Sequence, residues 1–190
     1  MSENIQNFKD LIAAAEKGDA ASQYEAAVLL EKGEGVEKNF DKSAELCLKA
    51  AEQGNVNAQW NVGSKLDGLF RAAGNDEVRM LQQSYKKAVG NPDNDELWKK
   101  AMHWLTKAAD NGSLEACVKL GFIYTVDCEE PQDLAKAKAY LTKAADQGHA
   151  GGQYMLGEFY ENQEDNIETA MVWYKKAADQ GLEDAIERLK

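Results

Sequence analysis

Proline is almost missing from this chain: Pro92 and Pro131 are the only two in 190 residues. With so few helix breakers, and with abundant Ala, Leu, Lys and Glu, most of its length can stay helical. Cysteine is equally sparse. Cys47, Cys117 and Cys128 are odd in number and irregularly spaced, so they make neither a disulfide framework nor a zinc set. They read as buried reduced thiols, which points to the cytoplasm. No apolar run approaches the roughly 20 residues of a membrane span. The N-terminal string MSENIQNFKD holds neither a basic nor an apolar segment of a secretory signal, so none is expected.

Positive charge is short as well, with 22 basic against 33 acidic residues and a net charge of −11. That balance disfavours nucleic acids and anionic membranes as partners. The deficit is uneven: −5 over residues 1–64, +2 over 65–109 and −8 over 110–190. Histidine, the commonest catalytic base, occurs only as His103 and His149. His103 has Thr106 and Lys107 where an orienting carboxylate would stand on a helix. No metalloprotease, phosphate-loop or nucleophile-elbow string occurs. Gly33-Glu34-Gly35 lacks the third glycine and the strand-to-helix setting of a dinucleotide loop. The expectation is therefore a protein without catalytic residues, metal or cofactor.

What the chain does have is a repeat. KAAEQG at 49–54, KAADNG at 107–112 and KAADQG at 143–148 and 176–181 share one phrase, with a degenerate AAEKG at 14–18. The closing glycines Gly18, Gly54, Gly112, Gly148 and Gly181 are spaced 36, 58, 36 and 33 apart. The long interval is one 36-residue unit plus 22 inserted residues. After each glycine a helix A follows. Offset 4 is Ser22, Ala58, Ala116 or Gly152, offset 8 is Ala26, Val62, Leu120 or Leu156, and offset 12 is Leu30, Leu66, Tyr124 or Tyr160. These offsets share one helical face, and small residues at offset 9 (Ala27, Gly63, Gly121, Gly157) admit a close neighbour. Helix B carries Leu46, Trp104, Tyr140 or Trp173 three residues before the KAA lysine, and its glycine supplies a left-handed cap.

These residues resemble the Sel-one-like repeat family, relatives of the tetratricopeptide repeats. Leu156, Gly157 and Tyr160 match its helix A; Trp173, Tyr174, Lys176, Ala177, Ala178 and Gly181 match its helix B; Gly33, Gly35 and Val36 match its loop. The loops near Cys128–Pro131 and Asn162–Asn166 depart from the pattern. The resemblance implies an all-α, right-handed α-solenoid of antiparallel helix pairs forming a single domain over 1–190. We read an opening helix at 5–17 with Ile5, Phe8, Ile12 and Ala15 inward, then repeats at 19–54, 55–112, 113–148 and 149–181. A closing helix at 183–190 turns Ala185, Ile186 and Leu189 inward, giving about 11 helices. It also implies that His149, after its glycine, is structural, and that Tyr24, Trp60 and Tyr154 at offset 6 pack in the core, the alternative being that they line a ligand groove.

The insertion at 68–94 is expected to hold an extra helix at 76–89 outside the regular stack. Val78, Leu81 and Tyr85 would face protein and Lys86 solvent. Arg71, Arg79, Lys86 and Lys87 make it a candidate basic contact arm. By analogy with tetratricopeptide superhelices, helix A lines a concave groove, where its non-core offsets would meet a protein or peptide. The candidate contacts are Glu31, Asn57, Asp67, Glu115, Phe122, Thr125, Glu158 and Glu161. Carboxylates beside one aromatic suit a partner with a basic face, bound by an adaptor. The other reading is an acidic inhibitor or immunity protein that neutralises a basic toxin or enzyme.

Overall fold

The protein was analysed as a computed structural model that describes residues 2–71, 74–126 and 132–190, with side chains from Phe8 onward. Cys128, Pro131 and the Ile5 side chain lie outside the described residues. Among those described there are eleven α-helices and no strands. They are α1 Ser2–Glu16, α2 Ala20–Lys32, α3 Phe40–Glu52, α4 Val56–Phe70, α5 Asp76–Ala88, α6 Asn94–Asp110, α7 Leu114–Thr125, α8 Leu134–Asp146, α9 Ala150–Glu164, α10 Ile167–Ala178 and α11 Glu183–Arg188. None is long and apolar enough to cross a membrane.

Each repeat starts on a side-chain cap. The residue after the glycine is Asp19, Asn55, Ser113 or His149, and it accepts the N–H three residues on. His149 thus acts as a helix cap: its Nδ1 accepts from the Gly152 N–H at 3.0 Å. At the other end Gly54, Gly112, Gly148 and Gly181 adopt φ between 84° and 102°, a left-handed turn that L side chains rarely enter.

The helices form two compact units, Met1–Asn111 and Gly112–Lys190. In the first, α2 pairs with α3, α4 pairs with α6, and α1 covers α2. In the second, α7 pairs with α8, α9 pairs with α10, and α11 packs on α10. The small residues at offset 9 are where each pair closes. A Cβ on Gly63 would lie 2.9 Å from the Leu105 backbone nitrogen, and one on Gly157 would lie 2.6 Å from the Tyr174 ring. The α2–α3 pair carries Ala27 at this offset, and the Ala27 carbonyl accepts from Ser43 Oγ at 2.8 Å.

A polar relay that sequence reading missed runs beside these contacts. Gln23, Gln59 and Gln153, five residues after their glycines, are buried. Their amides donate to the carbonyls of Ala15 (3.0 Å), Ala51 (3.1 Å) and Ala145 (3.2 Å), in the last turn of the preceding helix. Each of those carbonyls also accepts the cap glycine's N–H. Each glutamine oxygen then accepts from the residue before the next glycine: Gln53 at 2.7 Å, Asn111 at 2.9 Å and Gln180 at 2.7 Å. One side chain thereby ties three helices. In the third repeat Cys117 holds this position, also buried.

The insertion differs from its expected form. Helix α4 continues through Gly68 to Phe70, so the inserted segment starts inside a regular helix. Helix α5 is present, but it packs on α3 and α4 instead of standing outside the stack. Tyr85 is 1% exposed and joins Leu81 in one core cluster with Leu46, Leu66 and Trp104. Its phenol faces the Cys47 thiol and Ser43, and burial pushes the Cys47 thiol up to about 12. Val78 is half-buried, and so is Lys86, which was expected in solvent. The reason is the apolar face of α5, which finds uncovered surface on α3. At the closing end only Ala185 is buried; Ile186 and Leu189 are 40% and 36% exposed.

Two outcomes follow from this packing. Gly63→Val forces a branched side chain against a backbone atom, so urea denaturation should show a loss of about 2–3 kcal/mol, at the upper end of overpacking costs. Tyr85→Ala empties a fully buried aromatic site and should cost about 3–5 kcal/mol in the same measurement. A Tyr85→Ala loss below about 1 kcal/mol would return α5 to the role of a loose appendage.

Candidate functional site

The structure separates the predicted contact residues into two groups. In the first unit the acidic candidates are already engaged. Glu31 pairs with Lys65 at 2.9 Å, with both side chains about a quarter exposed. Asp67 is fully buried and pairs with Arg71 at 2.8 Å, so it cannot line an open groove. Asn57 is exposed.

The expected basic arm is likewise used internally. Arg71 binds Asp67 and lies 5.7 Å from the Trp98 ring centroid. Lys87 donates to Asp41 at 2.6 Å, Ser84 donates to the same carboxylate at 2.7 Å, and Lys38 pairs with Glu77. The Lys87 ammonium, then the Ser84 hydroxyl, hold the Asp41 carboxyl below its usual range. Arg79 is exposed, with Asp76 at 3.7 Å. The contacts of Lys87 and Ser84 with Asp41 and of Glu77 with Lys38 join α5 to α3 and the residues before it, so the segment is a packed helix and not a free arm.

The second unit is different. Phe122 on α7 is 41% exposed, the only exposed aromatic among the described large hydrophobic residues. It borders a cavity of about 130 Å³ between α7 and α9, lined also by Thr125, Val126, Met155, Glu158 and Phe159. The Thr125 hydroxyl is turned back onto the Gly121 carbonyl at 2.8 Å, which leaves its methyl for the cavity wall. Glu115, on the first turn of α7, is exposed and accepts from Ser113 Oγ at 3.0 Å.

Beside the cavity stands an aromatic and acidic cluster. The Tyr154 hydroxyl donates to Glu158 at 3.1 Å, and the Tyr174 hydroxyl donates to Glu161 at 2.6 Å. The two rings lie 5.5 Å apart, tilted by 42°. Burial first, then the Glu161 carboxylate, pushes the Tyr174 phenol well up, so it stays a neutral donor near pH 7. Burial raises the Tyr154 phenol too. Tyr154 was expected in the core; it is half-buried, with its hydroxyl on the cluster. Tyr24 and Trp60 are half-buried at the same offset, and the Tyr24 oxygen accepts from Asn61 at 3.3 Å.

Arg188 of α11 completes the cluster. Its guanidinium lies 3.5 Å from Glu158 and 3.4 Å from Glu161, and 5.8 Å from the Tyr174 ring centroid. Repeat position assigns α11 only to closing the stack; the one signal of this further role is that Arg188 is the single arginine after residue 79.

Nothing in this arrangement resembles a reacting centre. Partial desolvation, then Lys107 and Lys100, hold His103 below its ordinary range, and it packs edge-on against Trp104. Among the described residues no group of three or more His, Cys, Asp or Glu could hold a metal ion. The chemistry on offer is recognition of an apolar side chain next to a cation.

Comparison with known proteins agrees with the repeat geometry. The Sel1 repeat pattern matches residues 20–55, 99–113, 114–149 and 150–182. The second match starts only in helix B, because the insertion breaks the preceding stretch. No curated protein matches the chain. Among solved structures, a Sel1 repeat protein from Oxalobacter formigenes is 27% identical with a TM-score of 0.74, over 97% of this chain and 48% of its own. An immunity protein from Pseudomonas aeruginosa is 25% identical with a TM-score of 0.55, over 94% and 59%. A protective antigen present in uropathogenic Escherichia coli, with the same type of fold, is 27% identical with a TM-score of 0.50, over 94% and 42%. The chain therefore spans about half the length of these three solved structures. On the repeat phrases, the helix pairing and a family pattern that covers more than half of its residues, this chain is a member of the Sel1 repeat family and has its α-solenoid fold.

Proposed function

We propose that the protein is a non-catalytic binding module whose second unit holds a segment of a partner protein between α7 and α9. Sel1 repeats are in general protein-interaction modules. The observation that carries the reading for this chain is Phe122, exposed at the rim of an apolar cavity that Glu158 also lines. An aromatic left in water beside a pocket is the kind of anchor that dominates protein interfaces. The carboxylates next to it favour a partner segment with Lys or Arg adjacent to an apolar residue. The proposal includes a cytoplasmic setting, which the buried free thiols Cys47 and Cys117 support.

A second reading has support of its own. The Pseudomonas aeruginosa immunity protein shares the fold over nearly the whole of this chain. Together with the net charge of −11, that likeness favours an inhibitor that covers a basic face of a toxin or enzyme. Both readings use the same face of the second unit.

The test is a Phe122→Ser variant and a Glu158→Lys, Glu161→Lys variant, each titrated by calorimetry against the protein recovered with the parent chain from its native cell. Phe122→Ser should weaken binding about tenfold or more, as loss of an anchor residue does. The charge-reversed variant should bind more weakly than the parent at low salt and lose its salt dependence. Full binding by both variants would remove the α7–α9 face from consideration. If the recovered partner is an enzyme that the chain inactivates, the inhibitor reading stands over the adaptor.

A further inference from the structure

The Arg188 cluster deepens the proposal above, on which it rests. We infer that Glu158, Glu161, Tyr154 and Tyr174 form an arginine-binding cup that Arg188 occupies in cis, as a stand-in for an arginine of the partner. The cup has the parts that guanidinium recognition uses. Two carboxylates face one fork of N–H donors, with an aromatic face below it. Each carboxylate is fixed by a tyrosine hydroxyl, so little ordering is left to be done when a cation arrives. Glu158 belongs both to the cup and to the Phe122 cavity, so the two form one surface. The occupant this surface fits is a protein segment with an arginine next to an apolar side chain.

Besides its contact with the Tyr154 hydroxyl, Arg188 holds the two carboxylates loosely. Its nitrogens stay 3.4–3.5 Å from the carboxylates, beyond the usual range for a good N–H···O bond, and its side chain is 42% exposed. It ends a six-residue helix without a side-chain cap, in which Ile186 is exposed, as is Leu189 just after it. An exposed pair of this kind contributes little, so an incoming arginine on a well-docked segment can displace it. The neighbouring unit offers a contrast. There the corresponding carboxylate, Glu31, is closed off by Lys65 at 2.9 Å on a long regular helix.

The test uses the full chain and two blocked dipeptides, N-acetyl-leucyl-arginine amide and N-acetyl-leucyl-norleucine amide, followed by two-dimensional NMR titration. Arg188→Ala and Arg188→Gln should each bind the arginine dipeptide about three- to fivefold more tightly than the parent, the gain expected when an exposed competing pair is removed. Adding Glu158→Gln and Glu161→Gln to Arg188→Ala should cancel the gain, and the norleucine dipeptide should show none. Parallel melting curves identify any variant whose fold has changed, and Arg188→Gln keeps the test valid if Arg188→Ala loosens α11. Equal affinity of parent and both Arg188 variants would overturn the displacement model. In that case, shifts still centred on Phe122 and Met155 would leave the α7–α9 groove standing. Absence of any shift on α7 and α9 in every variant would overturn the cup and the groove together.

Discussion

A carbonyl shared between a cap glycine and a buried glutamine is the contact on which three of the four repeats depend. In the last turn of helix B the carbonyls of Ala15, Ala51 and Ala145 each accept two donors, the glycine N–H and a side-chain amide from the next helix A. A carbonyl has two lone pairs, and a buried one left half-satisfied costs free energy. The glutamine is held in turn by Gln53, Asn111 or Gln180. The register of three helices is thus set by polar bonds that admit few alternatives. The small residues Gly63, Gly121 and Gly157 then let the pair close at backbone distance.

This division of labour leaves the rest of helix A open to specialise. Offsets 4, 5, 8 and 9 are committed to packing, while offsets 6, 10 and 13 face outward or lie at the rim. In the first unit those positions are spent internally: Glu31 on Lys65, and Asp67 on Arg71. In the second unit they hold Tyr154, Phe122, Glu158 and Glu161 around a cavity. One scaffold therefore carries internally paired carboxylates in one unit and, in the other, the carboxylates and exposed Phe122 of the face proposed to bind a partner.

Much of the fold was legible in the sequence because the repeat phrases recur at nearly constant spacing. Glycine caps, small residues at offset 9 and the apolar stripe of helix A all follow from periodicity. The relay was legible too, as a glutamine recurring five residues after three of the glycines, but a polar residue on an apolar face invites a surface reading. Tyr85 and Asp67 were harder. Whether an inserted amphipathic helix packs or stands free depends on uncovered surface elsewhere in the chain, which local spacing does not reveal. Offset arithmetic alone placed Asp67 in the groove, whereas the structure buries it against Arg71. The same arithmetic named Glu158 and Glu161, which the structure brings together, whereas Arg188 comes from a segment with no repeat position to compare it with.

Hydrogen exchange on the chain, free and saturated with its recovered protein partner, tests most directly the claim that the second unit carries the binding face. The account predicts new protection in α7 and α9, with α11 losing protection as Arg188 leaves the carboxylates. Amides of α3 and α5 should exchange as before. Protection confined to α5 and its neighbours, with α7 and α9 unchanged, would contradict it.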